Sequence, residues 1–189
     1  MSLRSLALAT ALTAAPFAAQ AWEVDMSHTQ VTFEVSHLGF STMSGRFTEF
    51  EPEVSFDPED IEATEISFVI DAASIDTGWK ARDEHLNRSD FLNTGEYPEI
   101  TFTSTSVTQT GENTADVTGD LTMLGQTQEV TFNATLNALG PFPFNPEMQI
   151  AGFTATADVD RTAFGMGFGA PAIPAVIPVT VNIELTNQE

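Results

Sequence analysis

Cysteine is absent from the chain. No disulfide can hold the fold, which must therefore rest on packing and backbone hydrogen bonds. Positive charge is also scarce: six Lys and Arg stand against 27 Asp and Glu, for a formal net charge of −21. Nucleic acid is thereby excluded as a natural partner, and an anionic membrane surface should repel the body of the protein. Helical periodicity is nearly missing. The longest apolar run, within residues 1–21, falls short of the roughly 20 residues that a membrane-spanning helix requires.

That run instead has the form of an export signal. Arg4 gives the positive start, Leu6 to Ala15 the apolar stretch, and Ala19-Gln20-Ala21 a small-x-small cleavage site. A mature chain starting at Trp22 has 168 residues (189 − 21) and a charge of 5 − 27 = −22. It is expected to be one domain, residues 22–189, in a bacterial periplasm, where a cysteine-free exported protein is at home.

What the chain has in abundance is alternation. Val31, Phe33 and Val35 oppose Thr32, Glu34 and Ser36; Ile66, Phe68 and Ile70 follow, then Ile100 and Phe102. The stretch 45–56 is rougher, with Pro52 suggesting an edge or a bulge. From Val117 the pattern sharpens: Gly119, Leu121 and Met123, then Val130, Phe132, Ala134 and Leu136, then Phe153, Ala155, Ala157 and Val159, and last Ile177 to Leu185. These periods predict about eight antiparallel strands, each with one apolar face. Such a sheet must close on itself or pack against a second one. Strand lengths above the ordinary ~5–6 residues, and inward positions that mix rings with Gly and Ala, favour closure around a cavity over a sandwich.

One connection interrupts the strands. Residues 71–99 are too long for a hairpin and hold Lys80, Arg82, Arg88, His85 and Trp79, a concentration of cations in an acidic protein. A short helix is expected within 79–91, pairing Lys80 with Glu84 and Glu84 with Arg88, while Arg82 could turn inward to Asp71 or Asp76. Two other segments, 140–146 and 162–169, are unusually apolar; either they cap one end of the core or they form the mouth through which a greasy ligand passes.

The residues offer no catalytic set. Three histidines on separate elements lack metal-ligand spacing, and neither a nucleophile elbow nor a readable Ser/His/Asp group occurs. No metal, no cofactor and no catalytic residue is expected. His28 belongs to a turn. His37 shares the parity of Phe33 and Val35 and should face inward.

Several motifs occur together and in order: His37-Leu38-Gly39-Phe40-Ser41, Gly45-Arg46-Phe47, Ala73-Ser74-Ile75-Asp76-Thr77-Gly78, Arg82-Asp83-x-His85-Leu86, Ser89-Asp90-Phe91, Tyr97-Pro98-x-Ile100-x-Phe102, Gly119-Asp120-Leu121-Thr122 and Asp160-Arg161-x-x-Phe164-Gly165. In this combination the chain resembles the YceI-like family of periplasmic proteins over essentially its whole mature length. The resemblance implies an all-β, eight-stranded antiparallel, lipocalin-like barrel that binds polyisoprenoid chains, such as isoprenyl phosphates or isoprenoid quinones, without catalysis. Leu92, Asn93 and Met43 depart from the usual family residues at loop edges. The lining expected from the strands is Phe33, Val35, His37, Phe68, Phe102, Leu121, Phe132, Leu136 and Phe153, joined by Arg82, His85 and Phe91 from the connection. Arg82, Lys80, Arg88 and His85 are the cations for a charged head group; His37 or His85 could donate to a quinone. The implied partner is an isoprenoid lipid, with transient membrane contact and a homodimer through 140–149 and 162–175 as further expectations. A self-filled barrel acting as an interaction or stress protein, and an enzyme using the His/Arg connection, are the alternatives.

Overall fold

A computed structural model gives the structure of the protein, which describes residues 21–188. Of the expected export signal, residues 1–20 lie outside this range. The alternating segments form one antiparallel sheet: β1 (Glu23–Val24), β2 (Gln30–His37), β3 (Ser41–Phe47), β4 (Phe50–Ser55), β5 (Glu65–Asp71), β6 (Ile75–Asp76), β7 (Glu99–Gln109), β8 (Thr114–Met123), β9 (Gln126–Phe142), β10 (Asn145–Asp160) and β11 (Val176–Gln188). Neighbours run β4-β5-β7-β8-β9-β10-β11-β2-β3-β6, with β1 added to β11.

The sheet curls until its ends meet. β3 continues into β4 across Thr48-Glu49, and β5 continues into β6 across the tight turn Ala72–Ser74. At this corner Thr48 N–H donates to Ser74 O at 3.2 Å and Asp71 N–H to Glu49 O at 3.0 Å. The Ser74 hydroxyl accepts from the amides of Thr48 and Glu49 as well. The strands at the two ends of the path are thus halves of two bent strands held together, and the barrel-like sheet exposes little edge.

The count of eight needs refining. The rough stretch 45–56 is not one strand but the end of β3 and all of β4, broken where the chain turns the corner. Pro52 sits in β4, opposite Phe68, at the end of the hydrogen-bonded path, where a missing N–H costs no ladder bond. The remaining additions, β1 and β6, are two residues each.

Alternation decides the faces. In β8, Ala115, Val117, Gly119, Leu121 and Met123 are buried while Asp120 is exposed; in β9, Thr131, Asn133 and Thr135 lie outside. Glycine is used inside where rings need room. A Cβ on Gly45 would lie 2.3 Å from Phe33 Cζ, and one on Gly119 only 2.4 Å from Thr103 O and 2.5 Å from Phe102 Cζ. The turn between β8 and β9 is Leu124-Gly125, both at positive φ, the two-residue hairpin whose twist matches its strands.

The apolar segment 140–146 is neither a core cap nor a mouth. Strands of 17 and 16 residues carry it out as the tip of the β9–β10 hairpin, with Phe144 89% exposed. It lies beyond the start of β8, where Thr114 pairs with Thr135. The segment 162–175 packs at the other end, so the two cannot build one continuous dimer surface. Residues 80–86 form the expected helix, α1 (Lys80–Leu86), shorter than the 79–91 window.

Candidate functional site: an open apolar tube

The inward faces enclose a cavity of about 630 Å³, within the range of small-molecule sites. Its wall is Val, Ile, Leu, Phe, Met and Ala almost throughout, and among the described residues no Asp or Glu contributes to it, although the chain has 27. The nine phenylalanines that border it do not fill it.

The lining residues that are exposed mark the opening: His37, Trp79, Ala81, His85 and Phe168. They come from the end of β2, from α1 and its approach, and from the loop before β11. Rings tie the last two together, with Phe91 and Phe168 centroids 5.2 Å apart and His85 at 5.1 Å from Phe91. At the far end Trp22 meets Phe56 edge to face at 5.3 Å, and Phe56 meets Phe153 at 5.2 Å. Phe56 and Phe153 belong to the wall, so this stack stoppers the tube.

Of the expected lining residues, Phe33, Val35, His37, Phe68, Arg82, His85, Phe91, Phe102, Leu121, Phe132 and Phe153 all border the cavity. Phe68 is paired with Phe102 and Phe102 with Leu121 across three strands, and Phe102 meets Phe132 ring to ring at 5.3 Å. His37 faces the opening as its parity predicts, yet at the rim it is exposed, not buried.

Leu136 is a correction. Its partner across the ladder, Phe153, borders the cavity, but Leu136 does not. It lies one residue past the start of β8, where its backbone N–H donates to Asn113 O in the turn. A register shift between Gly152 and Phe153 also interrupts the parity there.

The charged and imidazole groups of the wall cluster at the opening. Arg82 does not reach Asp71 or Asp76; its Nε donates to Thr77 Oγ1 and its Nη2 to Thr77 O, both at 2.7 Å, and its guanidinium stands 5.7 Å from the Trp79 ring. Asp76 is taken by Arg46 at 3.0 Å; the Gly78 amide first, then that guanidinium, hold its carboxyl below the usual range. His85 Nε2 bonds Asp90 at 3.0 Å, and this bond lowers the Asp90 pKa. Lys80 and Glu84 approach to 3.7 Å, while no Glu84–Arg88 pair forms among the described residues.

Sequence reasoning passed over Arg161 as a site residue. It is 5% exposed and borders the cavity. Its Nε donates to Pro174 O at 2.9 Å, its Nη1 to Met166 O and to Phe168 O at 3.1 Å, and its Nη2 to Ile173 O at 3.1 Å. Burial pushes the guanidinium pKa down, and the four carbonyls answer its donors without a carboxylate bond. One side chain thus ties down the loop that carries Phe168. The signal was present in the Asp160-Arg161 motif, but a cation next to an aspartate reads as an ion pair.

Opposite the mouth, Asp25, His28 and Glu184 bring ligand atoms within 4.8 Å of one another. The arrangement is an ion-paired clasp: His28 Nδ1 lies 2.8 Å from Asp25 and 3.7 Å from Glu184, and Asp25 N–H donates to Glu184 O. Bonds from Ser27 and then His28 hold Asp25 at a pKa of about 2, and the bond to Asp25 raises that of His28.

The tube, its mouth and the motifs around them coincide with a known pattern. The YceI-like domain matches residues 22–187. The chain belongs to the YceI-like family. A UPF0312 protein of Pseudomonas putida is 40% identical to this YceI-like protein over 188 residues, 98% of this chain and 96% of the relative. One from Vibrio parahaemolyticus is 39% identical over 163 residues, 84% of each chain. Among solved structures, BcnA of Burkholderia cenocepacia superposes with a TM-score of 0.72 at 26% identity, covering 87% of this chain and 99% of its own. A polyisoprenoid binding domain from Saccharophagus degradans gives 0.62 at 17% identity over 89% and 99%, a likeness of fold.

Proposed function

We propose that this YceI-like protein is a non-catalytic carrier that holds a long isoprenoid lipid, an isoprenyl phosphate or an isoprenoid quinone, inside its barrel. The observation that carries this reading is the polarity gradient of the tube. Its wall is apolar and free of carboxylates, and its charged or imidazole groups, His37, Arg82, His85 and Arg161, all stand at the open end. A chain of CH₂ groups gains about 0.8 kcal/mol for each one moved from water into such a wall. A head group left at the mouth finds guanidinium or imidazole donors there. The Saccharophagus degradans domain that shares the fold is described as polyisoprenoid binding, which supports the same ligand class. A periplasmic site of action is supported by the export-signal pattern of residues 1–21.

Two measurements test the reading. Protein purified without detergent should release an isoprenoid on organic extraction, identified by mass spectrometry. The variant Ala155→Trp should obstruct the tube, because Ala155 and its ladder partner Ala134 both line it. Uptake of added isoprenoid should fall at least about tenfold with the fold retained. An empty wild-type protein whose melting temperature ignores added isoprenoids would end the proposal.

A further inference from the structure

The acidic residues of the chain are not spread evenly around the opening. Between Val35 and Thr48, the segment that turns at the mouth, there is none; between Arg161 and Ile183, which supplies the loop and strand at the same end, there is none either. The third mouth segment, 79–91, balances Lys80, Arg82 and Arg88 against Asp83, Glu84 and Asp90. With Arg46 and its ion-pair partner Asp76 added, and the buried Arg161 left aside, these segments sum to 4 − 4 = 0 in a protein of −21. The mouth is the part of the surface that the chain's own charge does not keep away from phosphate head groups.

The same end exposes large apolar side chains. Phe40 is 88% exposed and Leu38 48%, in the turn that follows His37; Trp79 is 62% exposed before α1, and Phe168 52% in the loop held by Arg161. Leu38 takes a positive φ of 55° to make that turn. Phe40 and Leu38 are not part of the cavity wall, so ligand binding does not explain them. Aromatic rings beside cations are what proteins place at a lipid–water interface, rings among the acyl chains and cations at the phosphates.

We propose that the mouth docks on a phospholipid bilayer, with Phe40, Leu38, Trp79 and Phe168 entering the interface, so that the tube opens directly onto the membrane that holds its guest. This rests on the carrier reading above, and the two can fail separately.

The experiment compares the wild-type protein with Phe40→Ser and Leu38→Ser/Phe40→Ser, none of which alters the cavity wall. Flotation with phosphatidylcholine vesicles reads docking; uptake of geranylgeraniol dispersed in octyl glucoside reads the tube. The wild type should float, the double variant should float at least about tenfold less, and all three should take up solubilised geranylgeraniol equally. Transfer of geranylgeraniol from one vesicle population to another should slow in step with flotation. A wild type that takes up solubilised geranylgeraniol but stays with the soluble fraction overturns docking and leaves the carrier standing. Flotation undiminished in the double variant also overturns it, since the contact then lies elsewhere, as at Phe144. Flotation lost in the variants without uptake by any of them supports docking and removes the carrier.

Discussion

At the scale of the residue, Arg161 gathers the carbonyls of Met166, Phe168, Ile173 and Pro174 around one buried guanidinium. Arg161→Met removes every one of those donors while keeping most of the volume. It should lower stability by about 3 kcal/mol and make the 162–175 loop the first site of proteolytic nicking, readable by urea denaturation and limited digestion. Thr64 presents the opposite problem: it borders the cavity, and its buried hydroxyl has no hydrogen-bond partner among the described residues. Thr64→Val should therefore raise stability by about 1 kcal/mol, shown by a higher urea midpoint at unchanged slope. The clasp at the stoppered end is sensitive to pH. The raised pKa of His28 adds stability that is complete below its ordinary 6.5 and is lost as pH rises through the folded value. The lowered pKa of Asp25 adds stability that is complete above 3.8 and lost as pH falls through about 2. Amide exchange of Glu23 to Asp25 should thus be slowest between about pH 4 and about pH 6.5, after correction for intrinsic exchange rates, and faster protection loss on the acid side alone would contradict the pairing.

Among the elements, the inward glycines decide how much room the rings have. Gly119→Ala places a methyl against the Thr103 carbonyl, which is backbone and cannot swing aside. It should destabilise by about 2–3 kcal/mol. Gly45→Ala meets the Phe33 ring first, a side chain that can rotate into the tube; it should cost less stability and narrow the bore, seen as a preference for thinner guests. These faces were readable from the sequence because a period of two leaves no choice about which side Phe33, Phe102 or Leu121 occupies. The corner at Thr48-Glu49 was not readable, since a strand that bends and changes partner keeps its apolar residues in place. Leu136 looked inward by parity, yet parity says nothing of where the neighbouring strand stops. Arg82 and Asp76 were each identified as polar groups of the connection, but their partners, Thr77 and Arg46, depend on tertiary placement that spacing does not encode. The position of the apolar tip at 140–146 is illegible for the same reason: composition reports greasiness, not the end of the barrel at which it is displayed.

For the whole molecule, a charge of −21 concentrated on the outer surface makes self-repulsion a standing cost to the compact state. Added sodium chloride should raise the melting temperature by several degrees as the Debye length shrinks from about 30 Å to about 8 Å, with little effect on uptake of an uncharged isoprenoid. The bent strands β3–β4 and β5–β6 lock the ring through the Thr48–Ser74 and Glu49–Asp71 bonds. A wall of this kind does not unzip sideways to admit a cargo, as an open sheet could. Traffic is therefore lengthwise, like a blade into a scabbard: the tail goes in foremost, the head group is the last part to arrive, and on departure it is the first to leave.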